Sequence, residues 1–131
     1  YDGWYNPEKA KEYLAKAKEQ LAAKGITVDK DNPITIELPY DASNEPFTNR
    51  ANAYKQSVEA TLDGEVIVSI NPANDNDEWY YSGYFTDYGY EANYNVTDVS
   101  GWSPDYGDPA SYLDVYLPDY AGYVTKSLGI F

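Results

Sequence analysis

Ile34-Thr35-Ile36-Glu37-Leu38 alternates apolar and polar side chains, and Glu65-Val66-Ile67-Val68-Ser69-Ile70 is a nearly continuous apolar run. The first pattern is that of a strand beginning after Pro33 and closing at Pro39, because successive strand side chains point to opposite faces. The second suits a strand buried on both faces, closed by Asn71-Pro72 because proline brings no N–H to a ladder. Between them, Phe47, Ala51, Tyr54, Val58 and Leu62 recur at helical spacing. That stripe predicts a helix capped by Ser43 or Asn44, opened by Glu45 and Pro46 and ended by Gly64. Strand, helix, strand is the repeating unit of a parallel sheet with right-handed crossovers.

The same alternation extends both ways. Upstream, Ala10, Tyr13, Leu14, Ala17 and Leu21 form an apolar helical stripe. Asn6 caps that helix, Pro7 suits its first position, Glu8 complements its N-terminal dipole and Gly25 stops it. Downstream, Asp77 and Glu78 open a short helical stretch over residues 79–85. Tyr94-Asn95-Val96-Thr97-Asp98-Val99 then reads as a third strand. The predicted order is α-β-α-β-α-β, a single α/β domain over residues 1–131. After Gly101 the chain turns rich in Pro, Gly, Asp and Tyr, with a short helix start at Asp108-Pro109-Ala110-Ser111-Tyr112-Leu113. Residues 117–131 carry no clear pattern.

Composition narrows the function. The chain has 131 residues, 43% of them hydrophobic, which suits one domain with a core of its own. Its net charge is -13, from 22 acidic and 9 basic residues. That argues against nucleic acid, since phosphate binding needs a basic face, and leaves a cationic ligand group possible beside plain solubility. There are no Cys, His or Met residues. Cys- or His-ligated zinc, cysteine nucleophiles and histidine triads are therefore excluded. No apolar run is long enough to span a bilayer. The chain starts at Tyr1-Asp2-Gly3-Trp4, and is expected to be a piece of a longer protein.

In open α/β sheets, ligands collect outside the carboxyl ends of the strands. Three segments qualify: Pro39-Tyr40-Asp41, Asn71-Pro72-Ala73-Asn74 and Gly101-Trp102-Ser103-Pro104-Asp105. Tyr40 and Asp41 are candidate ligand residues on that ground. In the third segment Gly101 permits close backbone approach, Trp102 offers a rigid wall, and Asp105 could pair with a cation. The same residues also read as ordinary scaffold, with Trp102 in a core and Asp105 and Asp108 capping turns.

Gly101-Trp102-Ser103-Pro104-Asp105-Tyr106-Gly107-Asp108-Pro109, followed by Ser111-Tyr112-Leu113-Asp114, resembles the G-W-x-x-D-Y-x-D/E-P-x-x-F/Y-L pattern of oligopeptide-binding proteins. These are the substrate-binding subunits of peptide ABC importers. The helix opening Asn6-Pro7-Glu8-Lys9-Ala10-Lys11 and the segment Tyr90-Glu91-Ala92-Asn93-Tyr94 are similar to the streptococcal lipoproteins of that family. The resemblance covers nearly the whole chain. It implies a periplasmic-binding-protein-like (type II) lobe of three-layer type, with a mainly parallel sheet flanked by helices, of which this chain is a fragment. It implies an extended oligopeptide clamped between two lobes and delivered to membrane permease subunits. It implies an extracellular monomer without cofactor or metal, anchored to the outer face of the membrane by a lipid-modified N-terminus. In relatives that engage the peptide's free amino end, the Asp of G-W-x-x-D pairs with its ammonium, and the Trp and its following residue line the pocket. Those roles fall on Asp105, Trp102 and Ser103. Some relatives carry a basic residue before the Gly-Trp pair, where this chain has Val99-Ser100; no ligand carboxylate contact is expected there.

Other classes fit less well. An aromatic-rich carbohydrate-binding module would use the 16 Tyr and 3 Trp, but such modules are usually all-β. Asp29/Asp31 and Asp75/Asp77/Glu78 lack the glycine-containing spacing of a calcium loop. Asp105 and Asp108 are a carboxylate pair, yet proximity in sequence does not set the separation that acid–base chemistry needs. No enzyme is expected.

Overall fold

The computed structural model describes residues 5–84, 89–97 and 107–110. Helix α1 is Pro7–Ala22. Asn6 caps it, its side chain accepting from Lys9 N–H at 2.9 Å. Pro7 fills a first-turn position where an N–H would have no helical partner. At the other end Gly25 takes a left-handed φ of 79°, and Ile26 N–H returns to the Leu21 carbonyl at 3.0 Å. Ala10, Leu14, Ala17 and Leu21 are half-buried, as the stripe predicts. Tyr13 is not part of that face: it is 57% exposed. It lies on the flank of the stripe, with the Lys9 and Lys16 ammonium groups 5.9 and 5.4 Å from its ring centre.

Strand β1, Ile34–Asp41, pairs in parallel with β2, Val66–Ala73. The register runs from Ile34 opposite Val66 to Asp41 opposite Ala73. Both strands outrun the prolines expected to close them, and backbone phase explains why. Ile34 N–H donates to Glu65 C=O at 3.0 Å and Ala42 N–H to Ala73 C=O at 2.9 Å. Even-numbered residues of β1 and odd-numbered residues of β2 thus turn their backbone groups toward the partner strand. Pro39 and Pro72 have the opposite parity. Each faces outward, where a missing N–H removes no bond from the ladder.

Helix α2, Glu45–Thr61, makes the crossover. The N-cap is Asn44, through backbone geometry alone: its carbonyl accepts from Phe47 and Thr48 N–H, and its side chain makes no capping bond. Asp63 and Gly64, with φ of 53° and 77°, turn the chain into β2. The even-numbered side chains of both strands face α2. Leu38, Tyr40, Ala51 and Val68 form the buried core, flanked by Ile36, Phe47, Val58, Ile70 and Val96. Val68 is only 1% exposed. Tyr54, expected in the inner stripe, instead stands at the edge of this layer and is exposed.

The third helical stretch begins earlier than predicted. Asp75, not Asp77, caps α3, Asn76–Glu78, accepting from Glu78 N–H at 2.9 Å. A π-helical turn, Trp79–Tyr84, continues it, and a 3₁₀ turn follows at Gly89–Glu91. Residues 94–97 are not a strand. Glu37 N–H is accepted by the Asn95 side chain at 2.8 Å, while Asn95 and Val96 N–H both donate to Glu37 C=O at 3.0 and 3.2 Å. A side-chain oxygen stands where a carbonyl would, so one rung forms and no ladder follows. This segment nevertheless lies on the edge of β1 away from β2. Among the described residues the protein is α/β, with a parallel two-stranded sheet.

Candidate functional site

Parallel pairing brings the carboxyl ends of β1 and β2 side by side: Tyr40 stands opposite Pro72 and Asp41 opposite Ala73. Two of the three expected strand ends therefore meet at one edge. A cleft of about 220 Å³ opens there, lined by Pro39, Asn71, Pro72, Ala73, Glu78, Trp79 and Asn93. Trp79, 3% exposed, is the buried wall. It was not expected at the site; its position just after the Asp75 cap is the signal that turns it back toward the strand ends.

Polar groups at this edge are ordered by one another. Asn71 Nδ2 donates to Glu37 Oε2 at 2.7 Å. Ser69 Oγ donates to Asn71 Oδ1 at 3.2 Å. Glu78 Oε2 accepts from the Asn74 backbone N–H at 2.7 Å and its side-chain amide at 2.8 Å. The odd-numbered face is thus a hydrogen-bonded carboxylate and amide surface beside an indole. It can receive polar groups and an apolar side chain together.

Tyr40 and Asp41 point to opposite faces of the sheet. Tyr40 is buried in the core under α2, with its edge on the second cleft described below. Asp41 is 5% exposed. One of its oxygens accepts from Ser43 N–H at 2.9 Å and Ser43 Oγ at 2.6 Å, which fixes the turn into α2. Gly101, Trp102, Ser103 and Asp105 lie outside the described residues. Asp108 accepts from Ala110 N–H at 2.8 Å, the turn-capping role open to it from sequence.

A larger cleft of about 430 Å³ lies on the other face, between α2, β1 and residues 96–97. Leu38, Tyr40, Phe47, Ala51 and Val96 make it apolar. Arg50, the single arginine of the sequence, stacks its guanidinium 4.7 Å from the Phe47 ring centre at its rim. Burial pushes the Tyr94 phenol above its ordinary pKa. Among the described residues no group of three or more acidic side chains is placed to hold a metal. Asp29 Oδ1 is instead used on the N–H groups of Asp31 and Asn32, both at 2.9 Å. No described helix is long and apolar enough to cross a membrane.

The described residues form an α/β unit in which the carboxyl ends of two parallel strands open onto one cleft, the place where ligands collect in open α/β sheets. Its sequence is similar to oligopeptide-binding proteins along nearly its full length. It is 39% identical over 127 residues to oligopeptide-binding protein AliA of Streptococcus pneumoniae, covering 96% of this chain and 18% of that protein. AliB of Streptococcus pneumoniae is 33% identical over 129 residues, covering 98% and 19%. SarA of Streptococcus gordonii is 36% identical over 118 residues, covering 89% and 17%. The chain thus spans 17–19% of the length of these curated relatives. No protein-family profile matches it. Helices α1 and α2 set it apart from the all-β architecture of a carbohydrate-binding module.

Proposed function

We propose that this chain contributes one side of a peptide-binding cleft in an extracellular solute-binding protein of an ABC importer. The observation that carries this reading is the alignment of nearly the whole chain with streptococcal oligopeptide-binding proteins. The joined strand ends and the polar cleft beside Trp79 support it. The chain is then part of one lobe of a type II, three-layer binding protein, and the opposite lobe closes over an extended peptide. Lipid anchoring and delivery to permease subunits belong to the longer protein. The chain itself binds and positions; it has no catalytic step.

In this reading Asp105 receives the peptide ammonium, and Gly101, Trp102 and Ser103 line the pocket. Tyr40 and Asp41 shape the β1 side, Asp41 by holding the turn into α2. An extended ligand paired through its backbone explains how such a site accepts many sequences. The test is calorimetric titration of the full-length protein with a short peptide, free or N-acetylated. Loss of the charge partner through Asp105→Ala should cost about 2–5 kcal/mol of binding free energy, and N-acetylation should weaken binding likewise. Unchanged affinity after both changes removes Asp105 from the site. Absence of binding to any free peptide removes the reading.

A further inference from the structure

We propose that Lys55 and Glu59 close the outer edge of β2 against strand addition by a second copy of this chain. Val68 sits mid-strand, with its side chain in the core and its N–H and C=O turned away from β1. Such outward groups are the usual template for another strand. Here both are occupied from α2. Glu59 Oε1 accepts from Val68 N–H at 3.0 Å, and Lys55 Nζ donates to Val68 C=O at 2.7 Å. The two side chains are joined at 2.6 Å, one helical turn apart. Together they present to Val68 the acceptor and the donor that a neighbouring strand would present.

The closure extends along the strand. Outward-facing residues of β2 are the even-numbered ones: Val66, Val68, Ile70 and Pro72. Val68 N–H is taken by Glu59 and Pro72 has none, so every second donor is withdrawn. A parallel or antiparallel partner needs consecutive rungs, and finds none. The opposite edge of the sheet behaves differently: beside β1, Asn95 and Val96 already bond Glu37. Among the described residues, then, the outer edge of β1 accepts a further segment of the chain, while the outer edge of β2 is bonded by side chains of α2.

The experiment compares three forms of the full-length protein by sedimentation velocity over rising concentration: parent, Lys55→Ala/Glu59→Ala, and Glu12→Ala/Lys16→Ala. The last removes an exposed i,i+4 pair on α1. Far-UV circular dichroism establishes that each retains its helices. The β2-edge variant should self-associate and gain an intermolecular-sheet infrared band, while the other two stay monomeric. A folded β2-edge variant that stays monomeric overturns the proposal, as does equal association of the α1 control. Should the β2-edge variant lose its helices, amide exchange in the parent decides. Val68 N–H should be protected, and protection should fall roughly tenfold or more when Glu59 is protonated. Exchange at the unprotected rate overturns the proposal.

Discussion

Asn95 bonds both backbone groups of Glu37: its Oδ1 accepts from Glu37 N–H at 2.8 Å, and its own N–H donates to Glu37 C=O at 3.0 Å. One residue thereby docks the segment after the 3₁₀ turn onto the edge of β1 away from β2. Asn95→Ala removes the acceptor and leaves Glu37 N–H to find water. Unfolding in urea should show a loss of about 0.5–1.5 kcal/mol, the usual net value of one such bond. Asn95→Asp keeps the acceptor and should lose less. Equal losses for the two would mean that the side-chain bond contributes nothing.

Val68 is the most buried large side chain of the core. Val68→Ala deletes two methyl groups where Leu38, Tyr40 and Ala51 enclose them. The lost transfer energy and the cavity together should cost about 2–3 kcal/mol in a urea titration. A cost under about 0.5 kcal/mol would be that of a surface position and would contradict the packing.

Asp41 serves the turn through Ser43. Asp41→Ala strands two donors and should destabilise by about 1–2 kcal/mol, whereas Asp41→Asn keeps an acceptor and should cost less than half as much. Thermal melts of both variants give the order. The reverse order would show that the charge of Asp41, not its hydrogen bonding, matters.

The Glu59 carboxyl is held below the usual glutamate value. The Lys55 hydrogen bond is the largest cause and the Val68 N–H bond the next; desolvation opposes them, and the Lys55 charge adds a smaller attraction. A depressed folded-state pKa stabilises the protein above the unfolded value, near 4.3, and that stabilisation fades as pH falls through the folded value. Urea midpoints of parent and Glu59→Gln should therefore differ at pH 6–7 and converge as pH drops below about 4. A difference that stays constant over that range would contradict the linkage.

The sequence made most of the first 73 residues legible. The helical stripes of α1 and α2 and the apolar runs of both strands are local patterns, and local patterns survive folding. Errors arose where one residue has two meanings. Pro39 and Pro72 read as stops because proline lacks an N–H; only the parity of a ladder tells whether that N–H is wanted. Tyr13 and Tyr54 read as core because tyrosine fits either side of a stripe's border. Trp79 went unnoticed at the site because what places it there is the turn after the Asp75 cap, not a spacing.

By itself, then, the sequence determined the types of the first four elements, the parallel arrangement of the two strands and the resemblance to oligopeptide-binding proteins, all of which rest on periodicity and motif; it misread Tyr94-Asn95-Val96-Thr97 as strand, because alternation there does not reveal that the Asn95 side chain takes the place of a ladder carbonyl. Tertiary structure alone decided which backbone edges are open. Glu59 and Lys55 reach Val68 across the gap between helix and strand, and Asn95 reaches Glu37 across 58 residues of chain. Such bonds depend on where two distant segments come to lie, which no local pattern encodes.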